Sequence, residues 1–290
     1  MRTISCTQLA LLALACTSLA TTSCTASLDL ERFKKEEAKA TVNSATITYF
    51  DFRFTAVNMQ SHIDEFLELR LVDKSNAVQG KAMFVDIPKP DFKMVLPKFI
   101  PKGGEPYRID WWADHNKSNH YDGIEGGIND KDHAWRRILR DPLPEDVRLV
   151  DGRYELTFLH DTAFVDIFTD LDGNKISGAD TLLPFKATVT GAGAYLGKMA
   201  EMRVVDKASG RLVALHRQGR AKETWVAEVT GVLDEETPYE LSVYVDANDD
   251  DEYDAGDPSW KTEVSSSDVG IVTNVDLGTL PQTPLMETSQ

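Results

Sequence analysis

The chain repeats itself. Glu68-Leu-Arg70-Leu-Val72-Asp73-Lys74 returns as Glu201-Met-Arg203-Val-Val205-Asp206-Lys207, at an offset of 133. Asp114, Asn116, Tyr121 and Asp122 return as Asp246, Asn248, Tyr253 and Asp254, at an offset of 132, and Pro106-Tyr107 returns as Pro238-Tyr239. Further on, Asp132 and Trp135 answer to Asp257 and Trp260, with seven extra residues in the first copy, and Phe164-Val-Asp166-Ile answers to Asn274-Val-Asp276-Leu. A duplicated unit of roughly 100 to 120 residues has the size of a β-sandwich domain.

Hydrophobic periodicity agrees. Leu67, Leu69 and Leu71 alternate with Glu68 and Arg70; Tyr107, Ile109, Trp111 and Ala113 alternate with Arg108, Asp110 and Trp112; Tyr239, Leu241, Val243 and Val245 alternate with Glu240, Ser242 and Tyr244. A period of two marks strands with one face in a core and one in water. No long amphipathic helix interrupts the pattern. The expected fold is therefore all-β, two tandem antiparallel β-sandwich domains behind a leader. The boundaries read as a signal peptide over 1–23, a tether over 24–44, a first repeat over 45–168, an acidic linker over 169–183, a second repeat over 184–280 and a disordered tail over 281–290.

The leader carries the address. Arg2 precedes the apolar run Leu9-Ala-Leu-Leu-Ala-Leu-Ala15, too short to span a bilayer and suited to an export signal. All three cysteines, Cys6, Cys16 and Cys24, fall here. Cys24 (or Cys16) sits in a small-residue context resembling a lipobox, so a lipid anchor to a membrane is expected; cleavage after Ala20 is the competing reading. The destination is outside the cytoplasm: an outer-membrane or cell-surface lipoprotein, or a periplasmic one. The remaining chain has no cysteine for an internal disulfide. Without Arg2 it carries 30 basic against 47 acidic residues, about −17, which argues against nucleic acid as a partner. An envelope protein or a glycan is the partner class left open.

Acidity is clustered as well as abundant. From Asp246 to Asp257, side-chain oxygens stand at the first, third, fifth, seventh, ninth and twelfth places: Asp246, Asn248, Asp250, Glu252, Asp254 and Asp257. That is the ligand spacing of an EF-hand-type calcium loop. The first copy offers Asp114, Asn116, Ser118, His120, Asp122 and Glu125 at the same places. Calcium is the expected cofactor. Both loops lack the sixth-place Gly, having Asn119 and Asp251 instead. Both also follow a strand, which excludes a helix–loop–helix sensor. A third segment, with Asp170, Asp172, Asn174 and Asp180, is either a linker metal site or a solvated turn.

Two other chemistries deserve weighing. His115, His120 and His133, beside Asp114, Asp122 and Asp132, form a transition-metal alternative for Zn²⁺ or Cu²⁺ with no counterpart in the second copy. His160 reads as a strand-end hydrogen-bonding residue. Alternation turns Trp112, and Tyr244 in the second copy, toward the outer face, so a carbohydrate-stacking module is the third alternative. No nucleophile elbow, phosphate loop, dinucleotide fingerprint or His-Glu-x-x-His stretch occurs, and no enzyme activity is expected.

The leader, the duplicated β units, the Asp-x-Asn-x-x-x-x-Tyr-Asp loop and the later Trp together resemble bacterial envelope lipoproteins with tandem immunoglobulin-like or transthyretin-like β-sandwich repeats. The resemblance implies architecture and location, and no activity.

Overall fold

The computed structural model describes residues 49–125, 131–178, 180–254 and 256–283. The segments read as signal peptide and tether, with Cys16 and Cys24, and most of the expected tail lie outside them. The first half contributes β1 (Tyr49–Val57), β2 (Leu67–Val72), β3 (Val78–Val85), β4 (Phe92–Pro101), β5 (Tyr107–Ala113), β6 (His133–Leu139), β7 (Val147–Val150) and β8 (Arg153–Leu159). The second half contributes β9 (Leu183–Thr190), β10 (Ala200–Asp206), β11 (Leu212–Gln218), β12 (Trp225–Leu233), β13 (Pro238–Val245), β14 (Ser259–Ser265) and β15 (Ile271–Asp276). Short 3₁₀ turns at Gln60–His62 and Gly193–Tyr195 are the helical elements among the described residues. The chain is all-β, as the alternation requires.

The halves match strand for strand except for β7, which has no counterpart in the second half. Each has a small sheet, β4-β1-β8-β7 or β12-β9-β15, packed on four strands of a large one. The large sheet is shared: its order is β14-β13-β10-β11-β3-β2-β5-β6, eight strands continuous across both halves. Most pairs are antiparallel. Three are parallel: β1 with β8, β9 with β15, and β11 with β3. The first two close each repeat, because its first and last strands lie side by side. The third joins the repeats.

The two cores lie on opposite faces of the shared sheet. On β3, Ala82 and Phe84 enter the first core while Met83 enters the second. On β11, Leu212 and Leu215 enter the first core while Val213 and Ala214 enter the second. Each small sheet thus reaches past its own repeat and covers part of the other's outer face.

This arrangement corrects one sequence expectation. The polar partners in the alternation, Glu68, Arg70, Arg108 and Asp110 in the first half and Glu201 and Arg203 in the second, are buried, not solvent-facing. They survive there as paired ions. Arg217 reaches Glu201 at 2.7 Å and Arg203 reaches it at 2.6 Å. Strand β4 lies over them, and the backbone oxygens of Lys93 and Val95 accept from Arg217 and Arg203. In the first half Arg108 and Arg136 share Asp110, at 3.0 and 2.6 Å. Arg136 also donates to the backbone oxygens of Ile167 and Thr169, tying down the segment that leads into the second half.

Candidate functional site

Both acidic loops adopt the same backbone path. Asp114 accepts from the amides of Ser118 and Asn119, at 2.9 Å each. Asp246 accepts from the matching amides of Asp250 and Asp251, at 3.2 and 2.9 Å. The sixth place has a left-handed backbone in both, with φ of 62° at Asn119 and 65° at Asp251. Asn and Asp are the residues other than Gly that tolerate this region, so the missing Gly does not prevent the turn.

The side chains converge from opposite ends of each loop. Asn116 donates to Asp122 at 2.9 Å, and Asn248 donates to Asp250 at 2.9 Å and to Asp254 at 3.4 Å. The closing carboxylate of the second loop is Asp257, which accepts from the Ala247 amide at 2.8 Å. The residue doing this job in the first loop is Asp132, which accepts from the Asp122 amide at 3.0 Å. Glu125 does not: its side chain is 87% exposed and pairs with Lys175 at 3.6 Å. The repeat correspondence of Asp132 with Asp257 points to this residue, whereas fixed loop spacing, which chose Glu125, ignores the seven extra residues. At the seventh place, where an EF-hand uses a backbone oxygen, the Glu252 side chain turns away to Lys93 at 3.2 Å and the exposed His120 packs back on Ser118.

Electrostatics mark these carboxylates out. Burial pushes the Asp132 carboxyl up to about 7, and the charges of Asp122 and Asp114 add to it, against the Asp122 amide. Its Oδ1 is buried with no hydrogen-bond partner. Burial also raises Asp246 and Asp257, against the backbone amides that donate to them. A carboxylate held this way is stabilised by a proton or by a cation.

The third acidic segment divides. Asp170 closes a turn, accepting from the amides of Asp172 and Asn174 at 2.9 and 2.8 Å and from the Asn174 side chain at 3.0 Å. Asp180 pairs instead with the buried Lys81 at 2.7 Å. The linker metal set is therefore not brought together: one of its carboxylates neutralises an ammonium on the outer face of β3.

The aromatic platform is overturned. Trp112 is 2% exposed and Tyr244 1% exposed. Trp112 packs on Phe66 and Tyr121, and Tyr244 on Tyr253, so the loop tyrosines cover the very rings that alternation turned outward.

The histidines regroup. His120 stays on the loop surface, while His115 and His133 join two residues that sequence spacing did not associate, His62 and His160. His62 Nε2 lies 3.1 Å from His160 Nε2 and 3.3 Å from His133 Nδ1. Glu65 holds His62 Nδ1 at 2.6 Å and His115 Nδ1 at 2.9 Å. One donor atom from each of His62, His115 and His133 lies within 4.8 Å of the others. Burial, then the neighbouring His62, hold His160 below the usual histidine range. These side chains come from three separate connections, β1–β2, β5–β6 and β8–β9, so no local motif announces them.

No protein-family model matches the chain, and no curated protein matches it. Among solved structures, a mutant of the shaft pilin SpaA from Lactobacillus rhamnosus GG aligns over 83% of this chain and 99% of that one, with 10% identity and a TM-score of 0.19. That likeness is too slight to carry an argument about this chain. Among the described residues, no helix is long and apolar enough to cross a membrane.

Proposed function

We propose that this protein is a non-enzymatic component of the bacterial envelope, anchored by a lipid on Cys24 (or Cys16), whose paired β-sandwiches are clasped by calcium at their end loops. Its role is structural or one of surface interaction. The observation that carries the calcium reading is the Asp132 carboxylate: buried, crowded by Asp114 and Asp122, and with one oxygen lacking a partner. A divalent cation there offsets repulsion that the fold otherwise sustains. The second loop repeats the geometry with more acidic ligands, Asp246, Asp250, Asp254 and Asp257. Export and anchoring rest on the leader sequence.

The test is a calcium titration of the full-length chain after chelation, read by isothermal calorimetry and thermal melting. Two sites of millimolar to tenth-millimolar affinity are expected, the range of extracellular calcium modules. Absence of any calcium-dependent melt at several millimolar refutes the clasp. Anchoring is tested separately, by fatty-acid labelling and membrane partition in a bacterial host, with Cys24→Ser and Cys16→Ser as the variants.

A further inference from the structure

We propose that His62, His115 and His133, with His160 beside His62 as fourth donor, form a transition-metal site for Zn²⁺ that staples together the two sheets of the first sandwich. The site uses none of the calcium ligands and stands apart from the calcium reading.

The first argument is spacing. With metal–nitrogen bonds of about 2.05 Å, neighbouring ligands of a tetrahedral ion stand roughly 3.3 Å apart, against roughly 2.9 Å in a square plane. Of the two distances from His62 Nε2, the 3.3 Å to His133 Nδ1 matches the tetrahedral edge, while the 3.1 Å to His160 Nε2 lies midway between the two geometries.

The second argument is tautomer control. Glu65 accepts through one carboxylate oxygen from His62 Nδ1 and through the other from His115 Nδ1. This fixes the proton of both rings on Nδ1 and leaves each Nε2 as a lone-pair donor. A carboxylate behind a ligand histidine is the usual second layer of a zinc site, where it orients the ring and raises its basicity. One buried Glu serving two rings fits a built site better than a chance meeting of imidazoles.

The third argument is placement. His62 ends the turn after β1 and His160 follows β8, both from the small sheet; His115 follows β5 and His133 opens β6, both from the large sheet. One ion therefore ties the β1–β2, β5–β6 and β8–β9 connections together. His115 and His133 each directly follow a calcium-loop carboxylate, Asp114 and Asp132, and gather around His62.

The second half supplies an internal contrast. Tyr195 stands where His62 does, edge-on to Trp260 at 5.7 Å as His62 is to Trp135 at 5.8 Å. Ala247 and Pro258 replace His115 and His133. The same corner is closed there by an aromatic side chain that offers no ligand set, so one zinc per chain is expected.

The experiment uses the full-length chain, stripped of metal and then held in excess calcium so that the carboxylate loops are satisfied. Zn²⁺ is titrated against a chromophoric chelator, and Co²⁺ is used as a spectroscopic stand-in. Expected are one equivalent of zinc with a Kd below about 1 µM, tetrahedral cobalt bands, and a melt that rises until one equivalent is bound. His62→Ala should weaken binding at least about 100-fold, and Glu65→Gln about 10- to 100-fold. Because His62 is fully buried, the half-buried His160→Gln is the variant that keeps the fold; it too should lose at least about 10-fold, with its calcium-dependent melt retained. His216→Gln, remote from the site, should bind zinc as wild type does. The proposal is overturned if wild type shows no stoichiometric zinc. It is equally overturned if a folded His160→Gln binds at full strength, or if zinc is lost on His120→Ala and kept on His160→Gln.

Discussion

His216 of the second half stands opposite Met83 of the first, at the centre of a parallel ladder that runs from Ala214↔Lys81 to Gln218↔Val85. Both side chains lie on the face of the second core, and on the same two strands Leu215 and Ala82 lie on the face of the first. Each core is thus built in part from the other repeat.

The halves should therefore unfold together. Cutting the chain between Gly178 and Pro184 would leave β3 and β11 as apolar open edges, which favour aggregation over independent folding. One cooperative transition is expected for the intact chain, and no cooperative melt for either piece alone. Leu215→Ala, in the second half, should cost about 2–5 kcal/mol and disturb the fluorescence of Trp111 and Trp135 in the first. Two independent transitions in the intact chain, or a normal melt of an isolated half, would argue against the shared sheet.

Acid stability should depend on His216. Burial lowers its pKa from 6.5 to about 4; it stacks on Trp225, and its Nε2 is buried without a partner. The unfolded chain takes up a proton below 6.5 that the folded chain refuses until about pH 4. Stability is therefore lost as pH falls through that window, by up to roughly 3 kcal/mol, and is unaffected by this group above it. Chemical denaturation of wild type and His216→Leu at pH 7, 5.5 and 4 isolates the effect. A variant with the same slope as wild type would assign the acid sensitivity elsewhere.

Glu201 should be among the costliest positions to neutralise. It is fully buried and faces Arg203 and Arg217, and it keeps Arg217 charged despite burial. Removing one partner of a buried pair leaves an uncompensated charge, at about 3–5 kcal/mol. Glu201→Gln should approach that loss while preserving shape. A loss under about 1 kcal/mol, the scale of a surface pair, would mean that water reaches the arginines.

The two calcium loops should differ in strength. More carboxylates raise the attraction for a divalent ion, so Asp246→Ala should remove the tighter site and Asp114→Ala the weaker one. With Kd values on the order of 10⁻⁴ to 10⁻³ M, about 1 mM calcium stabilises by roughly 0.4 to 1.4 kcal/mol per site. Asp132→Asn should abolish the first contribution while leaving the calcium-free protein as stable as wild type or more so, since it relieves a repelled charge. A calcium-free protein weakened by Asp132→Asn would show that this carboxylate is structural in its own right.

Strands, duplication and the acidic loops were all legible in the sequence, because alternation, repeat offset and ligand spacing are local properties of a chain. The third and ninth places of each loop meet, Asn116 with Asp122 and Asn248 with Asp254. What local pattern left open is anything set by one half meeting the other. Glu68, Arg70, Glu201 and Arg203 alternate as surface residues do, and Trp112 and Tyr244 read as an outer face. Strand β4 of the other half covers Glu201 and Arg203, the segment at Phe168 covers Arg70, and the loop tyrosines Tyr121 and Tyr253 cover Trp112 and Tyr244. Asp132 in place of Glu125 follows the repeat correspondence with Asp257 that fixed spacing overlooks, while the pairing of Asp180 with Lys81 depends on where the linker lies. The histidine cluster is the extreme case. Its four rings and their carboxylate come from connections spread over some hundred residues, and no spacing rule relates them. The sequence determined what each strand and loop could offer; the tertiary structure decided which offers meet, because burial and ion pairing depend on distances through space.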